Sequence, residues 1–255
     1  MDSLQCHDII SQHEVANIED KTDMSIAIGL IGTDGIVLGT DSQSTYLQYN
    51  KQTQKLRKLT DSIGLMSLGY NSDYQHFLIK QLLMMPSVKD FIEEVTICSD
   101  YIRRHVKTFA YPDLSILKGN SQIEFVFAGY DSELKPRIIS LDSAKSQTPF
   151  APTEYELSYV GGVDSIAYNW IKRIGYEKRI DCEDLRFPCA ILKKFMVMIL
   201  LETFRVSNMC SEPIQMAVIT QQNGYQPITK DEISEIKNSL DYKQQWLYDY
   251  LASTK

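Results

Sequence analysis

Ser25, Asp41, Lys55 and Gly69 are the residues of this sequence whose types and spacing could attack an amide bond. A serine hydroxyl is a weak nucleophile at neutral pH and needs a base within hydrogen-bond reach. Ser25 directly follows an internal methionine, Met24, so it could become a free N-terminus. An unperturbed terminal α-amine has a pKa of about 7.7–8.0, so part of it is neutral at pH 7 and can take the hydroxyl proton, directly or through water. A nearby lysine would lower the hydroxyl pKa by its charge, and a carboxylate would hold that lysine in place. Asp41, at the end of one apolar run, and Lys55, at the start of another, supply that pair. Backbone N–H groups near Gly69 could stabilise the oxyanion of a tetrahedral intermediate. Each residue also has a plainer reading. A lone Asp at a strand end is commonly a turn residue, and a Lys at a strand start is commonly solvated.

Other chemistries find less support. His7, His13, His76 and His105 are isolated, and no GxSxG is present. Gly161-Gly162 lacks the rest of a dinucleotide or phosphate-loop fingerprint. The five cysteines (Cys6, Cys98, Cys182, Cys189, Cys210) are scattered, odd in number and without CxxC spacing. They read as reduced, buried thiols rather than as a metal or disulfide framework. No cofactor or metal is expected. The formal charge of −7 comes with no basic stripe, which argues against nucleic acid. The N-terminus has neither the basic nor the apolar region of a signal peptide, and the longest apolar run, Phe195 to Leu201, is too short to span a bilayer. A soluble cytoplasmic protein without membrane contact is the default expectation.

The elements that must position these residues follow from pattern. Residues 1–24 are polar and acidic without period and read as a leader. Residues 25–255 read as one domain. Ile26–Ile31 and Ile36–Thr40 form an expected hairpin around Asp34-Gly35, a pair suited to a tight turn. Runs at Lys55–Leu59 and Ile63–Leu68 continue the strands. Helical spacing predicts Asp73–Met85, then Phe91–Phe109 after a start at Ser87 and Asp90. Strands are expected at Ile123–Gly129, Arg137–Leu141 and Tyr155–Val160, and helices at Asp164–Ile174 and Cys189–Val206. Ile214–Thr220 reads as a strand and Asn223-Gly224 as a turn. Thr229 with Glu232 forms a capping box for a last helix to about Leu251. Strand blocks segregated from helix blocks argue for stacked antiparallel sheets covered by helices, an α+β fold.

Three stretches then carry a family resemblance: Ser-Ile-Ala-Ile-Gly from Ser25, Gly-Ile-Val-Leu-Gly-Thr-Asp-Ser-Gln-Ser-Thr from Gly35, and Lys-Leu-Arg-Lys-Leu-Thr-Asp-Ser-Ile-Gly-Leu-Met-Ser-Leu-Gly-Tyr-Asn-Ser-Asp from Lys55. Together they resemble the opening of a proteasome-type N-terminal-nucleophile hydrolase, as in 20S proteasome β-subunits and the bacterial HslV peptidase. The likeness continues more weakly through Val160-Gly161-Gly162 and Met216–Thr220. It implies a four-layer αββα sandwich and subunits assembled in a closed, homo-oligomeric ring around an inner chamber. The substrates would be peptides or unfolded proteins, and an ATPase or other proteasome subunits would be partners.

Carried over residue by residue, the resemblance implies that Ser25 is the nucleophile, where the family usually has threonine. Asp41 becomes the orienting aspartate, Lys55 the pKa-lowering lysine and Gly69 the oxyanion-hole residue. It further implies that the backbone of Thr45 pairs with substrate and that Thr53, Arg57, Ser67 and Asn71 line a polar side-chain pocket. Departures stand at Gly162, where the family has serine, at Ser207 and Cys210, in place of a supporting Asp/Ser pair, and at Met24, where the family has glycine. If translation starts at Met24, methionine removal would expose Ser25 and residues 1–23 would not belong to the protein. Three activities remain open: peptide hydrolysis through an acyl-enzyme, transpeptidation, and a catalytically inactive structural subunit.

Overall fold

In the computed structural model, the described residues are 25–46, 49–69, 73–106, 123–143, 148–162, 167, 169, 171, 187–207 and 210–240. The expected leader and the helix beyond residue 240 lie outside them.

Strands β1 (Ile26–Ile31) and β2 (Ile36–Thr40) form where the sequence predicts them. Every residue in both is buried, because each strand sits inside a sheet covered on both faces. Two short strands follow, β3 (Gln43–Tyr46) and β4 (Tyr49–Gln52), paired as a separate hairpin. Their polar sequence shows no apolar alternation, so pattern reading passes over them. Next come β5 (Leu56–Lys58), β6 (Gly64–Gly69) and helices α1 (Asp73–Met84) and α2 (Phe91–His105). Asp90 caps α2, at the start expected there: its carboxylate accepts the Glu93 N–H at 2.9 Å.

The next strands are β7 (Ile123–Tyr130), β8 (Pro136–Asp142), β9 (Pro152–Tyr155) and β10 (Ser158–Gly162). The expected single strand Tyr155–Val160 is therefore two strands in two different sheets. β9 pairs with β8 and β10 with β1, so the chain crosses the sandwich between them at Glu156-Leu157. Ala167, Asn169 and Ile171 are helical, in line with the helix expected there. Helix α3 (Cys189–Val206), strands β11 (Gln215–Thr220) and β12 (Gly224–Pro227), and helix α4 (Lys230–Ser239) complete the order. Thr229 caps α4 by accepting the Glu232 N–H, as the capping box predicts.

Two antiparallel five-stranded sheets result. One runs β10-β1-β2-β11-β12, the other β5-β6-β7-β8-β9. Three apolar cores define the layers. Leu38, Met66, Val126, Ile138 and Ile219 pack between the sheets. Leu65, Phe125 and Phe127 of the second sheet pack with Leu78, Val95 and Ile102 of α1 and α2. Ile28, Leu30 and Val37 of the first sheet pack with Phe195, Met196 and Ile199 of α3 and with Ile233 of α4. Each large side chain buried this way contributes roughly 1.5–3 kcal/mol, which is why α3 is apolar on most faces. The order helix, sheet, sheet, helix is the αββα sandwich. Among the described residues no helix is long and apolar enough to cross a membrane.

Candidate active site

The β1–β2 hairpin brings Ser25 and Asp41 to the same end of the first sheet. Its register sets Ala27 opposite Thr40, so Ile26 faces Asp41, and Ser25 precedes the pair. The Asp41 carboxylate is locked by the backbone around it: Oδ1 accepts the Ile26 N–H at 3.0 Å and Oδ2 accepts the Gln43 N–H at 2.9 Å. Lys55 arrives from the other sheet, one residue before β5. Its Nζ lies 2.9 and 3.0 Å from the two Asp41 oxygens and 2.7 Å from Ser25 Oγ. All three side chains are buried, with relative exposures of 7% for Ser25, 0% for Asp41 and 5% for Lys55. The lysine thus closes the gap between the sheets and ends on the serine hydroxyl.

The geometry assigns protons. An ammonium only donates, so Lys55 donates to Ser25 Oγ and to Asp41. The hydroxyl proton of Ser25 must then point to another acceptor. A free α-amine on Ser25 is positioned by covalent geometry to be that acceptor.

Burial pushes the Asp41 carboxyl above the ordinary aspartate range, while the Lys55 charge and the Lys55, Ile26 and Gln43 hydrogen bonds pull it back only in part. The sign on stability follows. A carboxyl whose folded pKa is raised favours folding most below its unfolded value of about 3.9, and that contribution is lost as pH rises through the folded value. NMR titration of the Asp41 carboxyl carbon is expected to give a midpoint above ~3.9. A midpoint below it would show that Lys55 and the two amides outweigh burial.

Gly69 ends β6 with φ 93°, two residues beyond Ser67, whose N–H donates to the Lys55 carbonyl at 3.0 Å. It therefore sits at the same end of the second sheet as Lys55. Thr53 and Arg57 flank Lys55 at two-residue spacing, and all three precede or lie in β5. Both flanking residues are half-buried, and burial lowers the pKa of the Arg57 guanidinium. Thr45 lies in the β3–β4 hairpin opposite Asn50. Asn71 lies outside the described residues.

The departures also come together. Burial raises the Cys210 thiol pKa to about 11; the Asp41 charge adds to that, while a Ser207 hydrogen bond and the Lys55 charge oppose it. Ser207 and Cys210 are therefore neighbours, and Cys210 feels the charges of Asp41 and Lys55. Gly162 has φ 85°, a conformation that favours glycine. A Cβ there would stand 1.6 Å from the Ser25 carbonyl oxygen, so glycine at this position lets β10 press against the nucleophile's own backbone. Gly162→Ala is expected to cost about 2–4 kcal/mol of stability and to displace Ser25, read by urea unfolding. A variant as stable as the parent would contradict that close approach.

One participant carried no signal in the sequence. Gln215, in β11, hydrogen-bonds the backbone on both sides of Lys55. A glutamine in a strand has no local pattern that would mark this, since its partners lie some 160 residues away. Among the described residues, no group of three or more His, Cys, Asp or Glu side chains could hold a metal ion.

Comparison with known proteins bears on the fold that carries these residues. Residues 24–150 match the family model described as Proteasome subunit. The "Proteasome subunit beta" of Methanosphaera stadtmanae is 25% identical over 239 residues, spanning 89% of this chain and 100% of that one. The solved structure of "Anbu (ancestral beta-subunit)" from Yersinia bercovieri superposes with a TM-score of 0.64 at 12% identity, covering 88% of this chain and 97% of that one. An Anbu (Gly-1) mutant from Hyphomicrobium sp. strain MC1 gives 0.63 at 13% identity with the same coverage. At such identities the structures speak for the fold alone. The chain is therefore proteasome β-subunit-like, with the proteasome-type N-terminal-nucleophile hydrolase fold.

Proposed function

We propose that this protein is a peptidase whose nucleophile is Ser25, acting from the N-terminus of its mature chain. The observation that carries the reading is the shared Lys55 ammonium, 2.7 Å from Ser25 Oγ and 2.9 Å from Asp41. A pure scaffold has no need to bury a charge on a serine hydroxyl, and desolvating that charge costs several kcal/mol before the pairing offsets it.

The steps follow from the atoms. Ser25 Oγ attacks the peptide carbonyl carbon while its proton passes to the α-amine. Lys55 stabilises the developing alkoxide, and Asp41 holds Lys55 in register. The Gly69 N–H receives the oxyanion. Collapse breaks the C–N bond, and the α-ammonium returns its proton to the leaving amine. An ester joins Ser25 to the acyl fragment. Water, deprotonated by the same amine, releases it; an incoming amine in place of water would give transpeptidation.

Around this centre, the Thr45 backbone would pair with an extended peptide. Thr53, Arg57, Ser67 and Asn71 would form a polar side-chain pocket that favours polar or acidic residues. The half-buried Arg57 supports the acidic preference. A cytoplasmic ring of identical subunits acting on unfolded proteins, with an ATPase or other proteasome subunits as partners, fits the fold. Phe77, Leu83 and Met84 of α1, all substantially exposed, offer apolar surface for subunit contact.

The second reading is a structural ring subunit. Gly162 and the Ser207–Cys210 pair, which stand where the resemblance expects other groups, favour it. A peptide epoxyketone separates the two, because its adduct needs both the hydroxyl and a free α-amine. Peptide mapping is expected to find the adduct on Ser25. Intact, unmodified protein after prolonged exposure would support the structural subunit.

A further inference from the structure

We infer that Gln215 is a positioning residue for Lys55, setting the distance between the end of β2, beside Asp41, and the segment before β5 that carries Lys55. The inference rests on the peptidase reading for its consequence and on geometry for its cause.

Lys55 has an awkward place in the chain. It precedes β5, in a segment where residues 53–55 have no regular structure, and although its carbonyl accepts the Ser67 N–H of β6 at 3.0 Å, its own N–H points away from that strand to Gln215. Its ammonium must nevertheless hold both Ser25 and Asp41 across the sandwich. A long, flexible side chain does this reproducibly only if its backbone is fixed. The Gln215 carboxamide adds three hydrogen bonds to this segment. Oε1 accepts the Lys55 N–H at 2.9 Å and the Leu56 N–H at 3.1 Å, and Nε2 donates to the Thr53 carbonyl at 2.6 Å. Each of these bonds ties a partly buried backbone group of the segment to β11, and a buried polar group left unsatisfied costs about 1–3 kcal/mol.

The other end of Gln215 is anchored as firmly. Its backbone sits in β11 opposite Thr40, the residue before Asp41. One residue therefore touches the end of β2 through its main chain and the start of β5 through its side chain. Asp41 and Lys55 lie on different sheets, and Gln215 spans the gap beside them. The same carboxamide holds Thr53, so it also links Lys55 to the proposed substrate pocket. A glutamate at this position would keep the acceptor for the two N–H groups but lose the donor to Thr53. An alanine would lose both.

The test uses the full-length protein, with Gln215→Ala and Gln215→Glu beside the parent. Amide hydrogen exchange by NMR reads the geometry without reference to activity. In Gln215→Ala, the Lys55 and Leu56 amides are expected to exchange at least ~10-fold faster while the central amides of β1 and β7 stay protected. Unchanged protection overturns the inference whatever the activity. Peptide hydrolysis reads the consequence: Gln215→Ala is expected to lose ~10- to 100-fold in kcat, since small misplacement of a catalytic group has effects of that size. Gln215→Glu is expected to recover kcat to within about 3-fold while KM rises, because the two acceptor bonds to the Lys55 and Leu56 N–H groups stay while a carboxylate oxygen pushes the Thr53 carbonyl away. Equal loss in both variants, or loss in proportion to unfolded protein, overturns the positioning role. If the parent neither hydrolyses peptide nor takes up the epoxyketone, the peptidase reading fails, and the exchange result alone decides whether Gln215 holds Lys55.

Discussion

Ser25→Ala abolishes peptide turnover and leaves the sandwich folded: that is the largest effect expected of any single substitution. The hydroxyl is the only atom of Ser25 that the chemistry consumes, and removing the nucleophile from a site whose parts act together costs at least ~10⁴-fold in kcat. The structural price is small by comparison. The lost bond is the one Lys55 donates to Oγ, worth about 1–3 kcal/mol for a charged donor. Lys55 keeps both Asp41 oxygens, so its charge stays paired. Initial rates on a fluorogenic peptide together with a urea titration check both halves. Residual turnover within ~10-fold of the parent would remove Ser25 from the mechanism.

Lys55→Met has the second largest effect, and it strikes activity and stability together. Methionine fills most of the lysine's volume without its charge, so the Ser25 hydroxyl returns to its ordinary, high pKa and the rate is expected to fall at least ~10³-fold. The Asp41 carboxylate is then buried with the Ile26 and Gln43 amides to hold it. Breaking a buried pair from one side costs about 3–5 kcal/mol. Its pH dependence distinguishes this from a packing defect. Without Lys55 the Asp41 pKa rises further, so the destabilisation is fully present at neutral pH and shrinks as pH falls through that raised value. A double variant, Lys55→Met with Asp41→Asn, is expected to regain part of the stability and none of the activity. Urea midpoints at pH 7 and pH 5 measure the difference. Equal destabilisation at both would mean that Asp41 is not the group left exposed to the loss.

The parts of this molecule legible in the sequence are those where local pattern and tertiary role coincide. The β1–β2 hairpin carries continuous apolar runs around Asp34-Gly35 because both faces are covered, and the helix α3 is apolar on most faces for the same reason. Ser25, Asp41 and Lys55 could be grouped because a short hairpin and a short connection limit where they end. The strand pair β9 and β10 was not legible as two. Tyr155, Leu157 and Tyr159 alternate as one strand would, and only the pairing of β10 with β1 reveals the crossing. The β3–β4 hairpin and β12 are short and carry no run of apolar residues, and β12 buries the single side chain of Tyr225, too little for a pattern to mark it. Gln215 was invisible because its work is done by a side chain on backbone groups far away in the sequence. The pairing of Ser207 with Cys210 leaves no local pattern, since it depends on how the chain after α3 turns back.

Everything in this mechanism depends on a free amine at Ser25. Lys55 already donates to the hydroxyl, so as an ammonium it cannot also take the hydroxyl's proton. Intact mass spectrometry of the natively expressed protein reads the first residue directly. A mass corresponding to a chain that begins at Ser25 is the expected result. A mass that retains Met24 or any residue before it, in protein that still cleaves peptides, would contradict the mechanism, because Ser25 would then be acting without the amine assigned as its base.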